Sequence, residues 1–196
     1  MRPLITALIL IAFGLIVFVS GCSTYNGFVD TQEDVENAWG KVQSAYQRRS
    51  DLIPNLVNTV KGYANFEQET LTKVIEARAK ATSININPAN ATPEQLKAFQ
   101  DAQAGVSQSL GRLLVTVEQY PELKANQNFL ELQAQLEGTE NRIKVERDNY
   151  NNVVTNYNKK VRRFPGNLYA GIFGFSQKAQ FQAEEGAQNA PEVNFE

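Results

Sequence analysis

Few residues of this 196-residue sequence could do chemistry. The single cysteine, Cys22, follows Val19-Ser20-Gly21 and has no second thiol to form an internal disulfide. With no histidine, the chain lacks His-assisted nucleophiles, His metal ligands and the Glu-x-x-His pairs of di-metal bundles. Neither a metal nor a cofactor is expected. Ser107 and Ser109 fall in mid-helix, away from any strained turn that would present a nucleophile to a lysine base. No catalytic residue is assigned, and the chain is not read as an enzyme. Two pairs, Tyr150-Asn151 and Tyr157-Asn158, repeat after seven residues, which on a helix stacks them as a polar ladder of the kind that binds peptides. In the competing reading the tyrosines are amphipathic core residues and the asparagines face outward. Nineteen basic and 21 acidic residues give a net charge of −2, which argues against a phosphate-tracking surface, so nucleic acid is not an expected partner.

The chemistry available to Cys22 depends on what precedes it. Residues 4–19 are uncharged and almost wholly apolar, follow Arg2, and stop at the small pair Ser20-Gly21, which is signal-peptide anatomy. Val19-Ser20-Gly21-Cys22 resembles the lipobox of bacterial lipoproteins, in which the cysteine sulfur is diacylated and the chain is cut before it. The reading is therefore a lipoprotein-type signal peptide over 1–21, lipidation at Cys22, and a linker over 22–29. An uncleaved spanning helix is the alternative, since the apolar run is close to the roughly 17 to 25 residues a span needs.

The elements beyond the linker read as helices. From residue 30 to about 62, apolar residues fall on three adjacent rows spaced by seven: Val35, Val42, Leu56 and Tyr63; Ala38, Ala45 and Leu52; Trp39, Tyr46, Ile53 and Val60. Pro54 should kink this helix and Gly62 should end it. Asn65 with Gln68 predicts a capping box for a second helix over about 66–81, followed by a polar loop over 82–91. Thr92-Pro93-Glu94-Gln95 opens a third, with Leu96, Phe99, Val106, Leu110, Leu113 and Val117 inward. Tyr120-Pro121 forces a boundary. A fourth helix from 122 to about 163 carries the row Phe129, Leu136, Ile143, Tyr150, Tyr157 and Phe164, with Ala125, Leu132 and Val153 alongside. The fold class is all-α: an antiparallel up-and-down four-helix bundle over 30–175, with long first and fourth helices. The apolar run 168–175, with Tyr169, Phe173 and Phe175, is expected to pack on the bundle rather than meet the membrane or a partner, and the polar tail 176–196 to be flexible.

Several segments together resemble the bacterial LemA family. They are Arg49-Ser50-Asp51-Leu52-Ile53-Pro54-Asn55-Leu56-Val57, Thr59-Val60-Lys61-Gly62-Tyr63, Glu76-Ala77-Arg78-Ala79, Glu118-Gln119-Tyr120-Pro121-Glu122-Leu123-Lys124-Ala125, Thr139-Glu140-Asn141-Arg142-Ile143, Tyr150-Asn151, Tyr157-Asn158 and Phe164-Pro165. The resemblance implies a membrane-anchored four-helix bundle outside the cytoplasm. Many members keep an uncleaved spanning helix, from which the Cys22 lipobox departs. Asp51, Pro54, Tyr120 and Pro121, which fall within these segments, are read as structural residues.

Arg49 stands in the row of Val42 and Leu56, so its charge must be matched or snorkel outward. Antiparallel register places it level with about residue 136, within a turn of Glu140, and an Arg49–Glu140 pair that fixes register is expected. The resulting expectation is a membrane-anchored, envelope-facing scaffold or adaptor for an unidentified envelope protein. The alternatives are an accessory subunit or enzyme of unrecognised type, or a carrier holding a small ligand in the bundle core.

Overall fold

A computed structural model describes residues 2–62 and 67–182. Among them every regular element is helical: α1 (Arg2–Lys61), α2 (Gln68–Ser83), α3 (Pro93–Val117), α4 (Pro121–Lys124), α5 (Gln127–Arg162) and α6 (Gly166–Phe173).

α1 runs unbroken through the apolar run, Cys22 and the core rows. The segment 22–29, expected as a linker, is helical because its residue Phe28 is buried and packs on Phe175, which ties the segment to the bundle. Pro54 lies inside α1 on an exposed face, and Leu56, Val57 and Val60 continue the core beyond it. Tyr63 and the Asn65 cap lie outside the described residues. α2 begins at Gln68 with Glu67 as its N-cap, and the Thr70 hydroxyl donates to the Glu67 carboxylate at 3.0 Å. Thr92 and Gln95 cap α3 reciprocally: the Gln95 amide donates to Thr92 Oγ1 at 3.2 Å, and the Thr92 amide to Gln95 Oε1 at 3.0 Å.

The expected fourth helix is two. Pro121 opens the single turn α4, and Asn126 then starts α5 by accepting the Phe129 amide at 3.1 Å. Leu123, not Ala125, turns inward there. The seven-residue row is buried from Phe129 to Tyr157, but Phe164 is 80% exposed, because α5 ends at Arg162 before the row reaches it.

α1 packs along α5, and α3 packs on α2. Numbers rise along α1 as they fall along α5: Arg49 meets Glu140, and Gly27 meets Lys160. Two buried clusters divide the interior. Farther from the apolar run, Ile53, Leu56 and Val60 of α1 pack with Leu71 and Val74 of α2, Val106, Leu110 and Leu113 of α3, and Phe129 and Leu136 of α5. Nearer to it, Val35, Trp39, Val42 and Tyr46 pack with Leu96, Phe99, Tyr150, Val154 and Tyr157. At 16 residues α2 is about 24 Å long, too short to cover both clusters. Ile86 from the loop after α2, Ala170 of α6 and Phe181 complete the second one. The tail expected to be flexible from 176 is thus laid onto the bundle as far as 182, while 183–196 lie outside the described residues.

Candidate functional site

The Tyr-Asn pairs of α5 hold residues 175–182, an extended strap that follows α6. Gly174, at φ 77°, ends α6 in the left-handed region and redirects the chain. Asn158 Nδ2 donates to the Lys178 carbonyl at 2.9 Å, and the Lys178 amide donates to Asn158 Oδ1 at 2.8 Å. Asn151 repeats the arrangement on Phe181, at 3.0 Å to the carbonyl and 2.9 Å from the amide. Gln100, from α3, does the same to Gln182, at 2.9 and 3.3 Å.

Geometry explains the match. Seven residues of helix rise about 10.5 Å, and three residues of extended chain span about 10 Å. Asn151 and Asn158 therefore present their carboxamides at the repeat at which the strap presents Phe181 and Lys178. Each carboxamide meets one donor and one acceptor, as a neighbouring β-strand would, so recognition is of backbone.

Two strap side chains are read as well. Phe181 stacks on Trp39, meets Tyr150 edge-on, and lies under the Arg147 guanidinium. Lys178 is buried over the Tyr157 ring, and its ammonium donates to the Ala89 carbonyl. Burial pushes the Lys178 amine below its ordinary range, partly offset by the charge of Glu36. The Tyr150 hydroxyl donates to the Ala179 carbonyl at 3.2 Å, and burial pushes the phenol up to about 12. Tyr157 is raised by the same cause, and its hydroxyl finds no partner among the described residues.

Beside the strap lies the Arg49 cluster. Nη1 donates to Glu140 Oε1 at 2.8 Å and to the Ser107 hydroxyl at 2.7 Å, while Nη2 donates to the Gln103 carbonyl and side-chain oxygen at 3.1 and 2.5 Å. The guanidinium also lies 5.1 Å from the Tyr46 ring centre. Arg49 is 2% exposed and Glu140 39%, so the charge of a core arginine is led out to a half-buried carboxylate. The cluster ties α1 to both α3 and α5. Asp51 stays outside it, exposed and accepting from Gln47 at 2.7 Å. Tyr120 packs on the cluster farther from the apolar run, at the boundary that Pro121 opens.

The segment expected to cover the bundle divides in two. Gly166 and Ala170 are buried, and a Cβ on Gly166 would lie 2.5 Å from the Lys160 carbonyl oxygen. Tyr169 and Phe175 pack at the edge of the core, whereas Leu168, Ile172 and Phe173 are exposed. Cys22 is an exposed residue of α1. On another face, an open groove of about 1320 Å³ between α1 and α5 is lined by Asp34, Lys41, Arg48, Arg142, Glu146 and the side-chain-free Gly40 and Gly138, among others. Among the described residues no three acidic, cysteine or histidine side chains converge as metal ligands.

The seven-residue pattern marks the Asn ladder but not the segment it grips. The strap is too short and aperiodic to signal itself, and the one cue was the seven-residue Tyr-Asn repeat.

The LemA family model matches residues 38–195, which take in the core rows from Ala38 on, the ladder and the strap. Protein LemA of Metamycoplasma hominis is 31% identical, over 82% of this chain and 69% of its own length. Magnetosome protein MamQ 2 of Paramagnetospirillum magneticum is 29% identical, over 85% of this chain and 67% of its own. Magnetosome protein MamQ of Magnetospirillum gryphiswaldense is 27% identical over the same shares. With the core rows from Ala38 on, the ladder and the strap inside the matched region, the chain belongs to the LemA family.

Proposed function

We propose that this protein is a membrane-anchored, envelope-facing scaffold or adaptor. It is held through its amino-terminal segment, by acyl chains on Cys22 or by an uncleaved spanning helix, and presents an antiparallel four-helix bundle of α1, α2, α3 and α5 to an envelope protein outside the cytoplasm. The observation that carries the reading is the continuity of α1. One helix joins an apolar segment, long enough to cross a membrane and almost unburied, to the core of the bundle, so an uncleaved anchor would move with the bundle as one body, and after cleavage Cys22 would still open the same helix. The buried Arg49 cluster and the strap fix the remaining elements to that helix. Relatives named as magnetosome proteins support a role in an assembly.

The open groove between α1 and α5 is the surface this reading assigns to the partner. Its alternating charges and two glycines suit a protein surface of mixed charge. A photo-activated cross-linker at Lys41 or Arg142, in intact cells, tests it. One discrete protein captured from these positions, and not from exposed Val115 on α3, is expected. Equal capture from Val115, or none from either, overturns the assignment.

A further inference from the structure

We propose that α6 is a second membrane contact, its outer stripe set into the lipid interface beside the α1 anchor. The proposal rests on the membrane-anchored reading and adds a site to it. α6 carries no charge in its sequence GNLYAGIF. Its inner positions Gly166 and Ala170 are spent on the bundle. Leu168 and Ile172, one turn apart, are 57% and 74% exposed, and Phe164, in the turn before α6, is 80% exposed. This forms an apolar stripe on the outside of the protein, where a soluble helix would place polar residues.

Position identifies what covers it. α5 descends along α1 from Glu140 beside Arg49 to Lys160 beside Gly27, so the turn after α5 and α6 form the end of the bundle nearest the apolar run. The Tyr169 hydroxyl donates to the Val17 carbonyl at 3.4 Å, and its ring lies against Gly21. Phe173 and Phe175 meet Tyr25 edge-on at 5.1 and 5.7 Å. α6 is thus docked on α1 along residues 17–25.

That level is where the lipid boundary falls under either anchor. Residues 4–19 rise about 24 Å, against a hydrocarbon core of about 30 Å, so an uncleaved span meets headgroups within about a turn of Val19. If the chain is instead cut and acylated, Val17 and Gly21 leave with the signal peptide, the Tyr25 contacts remain, and the acyl chains begin at Cys22, within the same stretch. Tyr25 and Tyr169 are residue types favoured at this depth. Lys159, Lys160 and Arg162 in the last turn of α5, with Arg163 after them, put positive charge at this end of the bundle, where Lys160 donates to the Gly27 carbonyl.

The test uses the full chain in a Cys22→Ser background, reconstituted through its uncleaved helix into vesicles of three parts neutral to one part anionic phospholipid. An environment-sensitive fluorophore is attached at Ile172→Cys, at Leu168→Cys as a second reporter, or at Val145→Cys, an exposed position on α5 far from the apolar run. At 172 and 168 the emission should shift to the blue and fall at least twofold with lipids bearing a nitroxide near the headgroup, and less with a nitroxide deep in the acyl chain. At 145 neither change is expected. Probes at 172 and 168 that are no more quenched than at 145 overturn the proposal, whether they face water or are covered by another protein or a second copy. Flotation separates this failure from the larger one: a chain that floats with the vesicles but shows unquenched probes sinks the α6 contact alone. A chain that does not float sinks the anchored reading with it.

Discussion

Asn151 and Asn158, seven residues apart on α5, clasp Phe181 and Lys178, three residues apart on the strap, each through one donor and one acceptor. Removing either carboxamide leaves a backbone amide and a carbonyl without partners, at a cost of about 1 to 3 kcal/mol. Asn151→Ala and Asn158→Ala should each lower stability by that order in urea denaturation. Both release one strap, so the double variant should fall short of the sum. Amide hydrogen exchange at Lys178 and Phe181 should accelerate in each single variant. Unchanged exchange would mean that the side-chain contacts of Phe181 hold the strap without the ladder.

Phe181 closes the gap that short α2 leaves over Trp39 and Tyr150. Phe181→Ala should therefore act as a core truncation, costing about 3 to 5 kcal/mol. A loss below about 1 kcal/mol, measured by thermal or urea unfolding, would show the strap to be an ornament on a bundle complete without it.

The Arg49 cluster predicts an asymmetry. Arg49→Leu removes four hydrogen bonds at once and strands Gln103, so about 3 kcal/mol is expected. Glu140→Leu leaves Arg49 held by Ser107 and Gln103, and Glu140 is screened by solvent, so about 1 kcal/mol is expected. A double-mutant cycle should give a coupling distinguishable from zero. A vanishing coupling would assign register to Gln103 and Ser107 alone.

Much of this was legible in the sequence because helices repeat. The rows through Val42, Trp39 and Val106 needed only a period, and Thr92-Pro93-Glu94-Gln95 announced the start of α3. Arg49 stood out because a charge interrupts an apolar row. Other features carry no period. Ile86 is one apolar residue in a polar loop, and Asn126 caps α5 inside what reads as an unbroken helical stretch. The ladder grips the strap by its backbone, which no side-chain pattern encodes. Phe164 misled because the period outlasts the helix: the row continues one step past Arg162, where the chain has already turned.

The anchor is tested at its one cysteine. Under the proposed lipoprotein chemistry, Cys22→Ser abolishes fatty-acid labelling and leaves a larger, unprocessed precursor. Equal mobility with and without the substitution, and no label on the native chain, would favour an uncleaved span. The exposed position of Cys22 on α1 means the substitution leaves the core untouched, so a change in labelling reads the anchor and not the fold.

The ladder also sets a limit at high pH. Burial raises the Tyr150 phenol to about 12, whereas in the unfolded chain it ionises near 10. Between those values the unfolded chain sheds a proton that the folded one keeps, so Tyr150 contributes fully below about pH 10 and its contribution is lost as pH rises toward 12. Two units correspond to about 2 to 3 kcal/mol. Tyr46 and Tyr157, also raised by burial, act in the same direction. Lys178 opposes them: its amine is lowered in the folded chain, so stability gains with pH until the unfolded amine has also lost its proton, near 10.4. Tyr150→Phe isolates the term. It removes the hydrogen bond to Ala179, costing about 1 kcal/mol at pH 8, and it removes the ionising group. Urea midpoints taken from pH 8 to 11.5 should fall more steeply for the native chain than for Tyr150→Phe, narrowing or reversing their order above about pH 11. Parallel curves would place the alkaline loss in the other tyrosines and leave Tyr150 as a packing residue only.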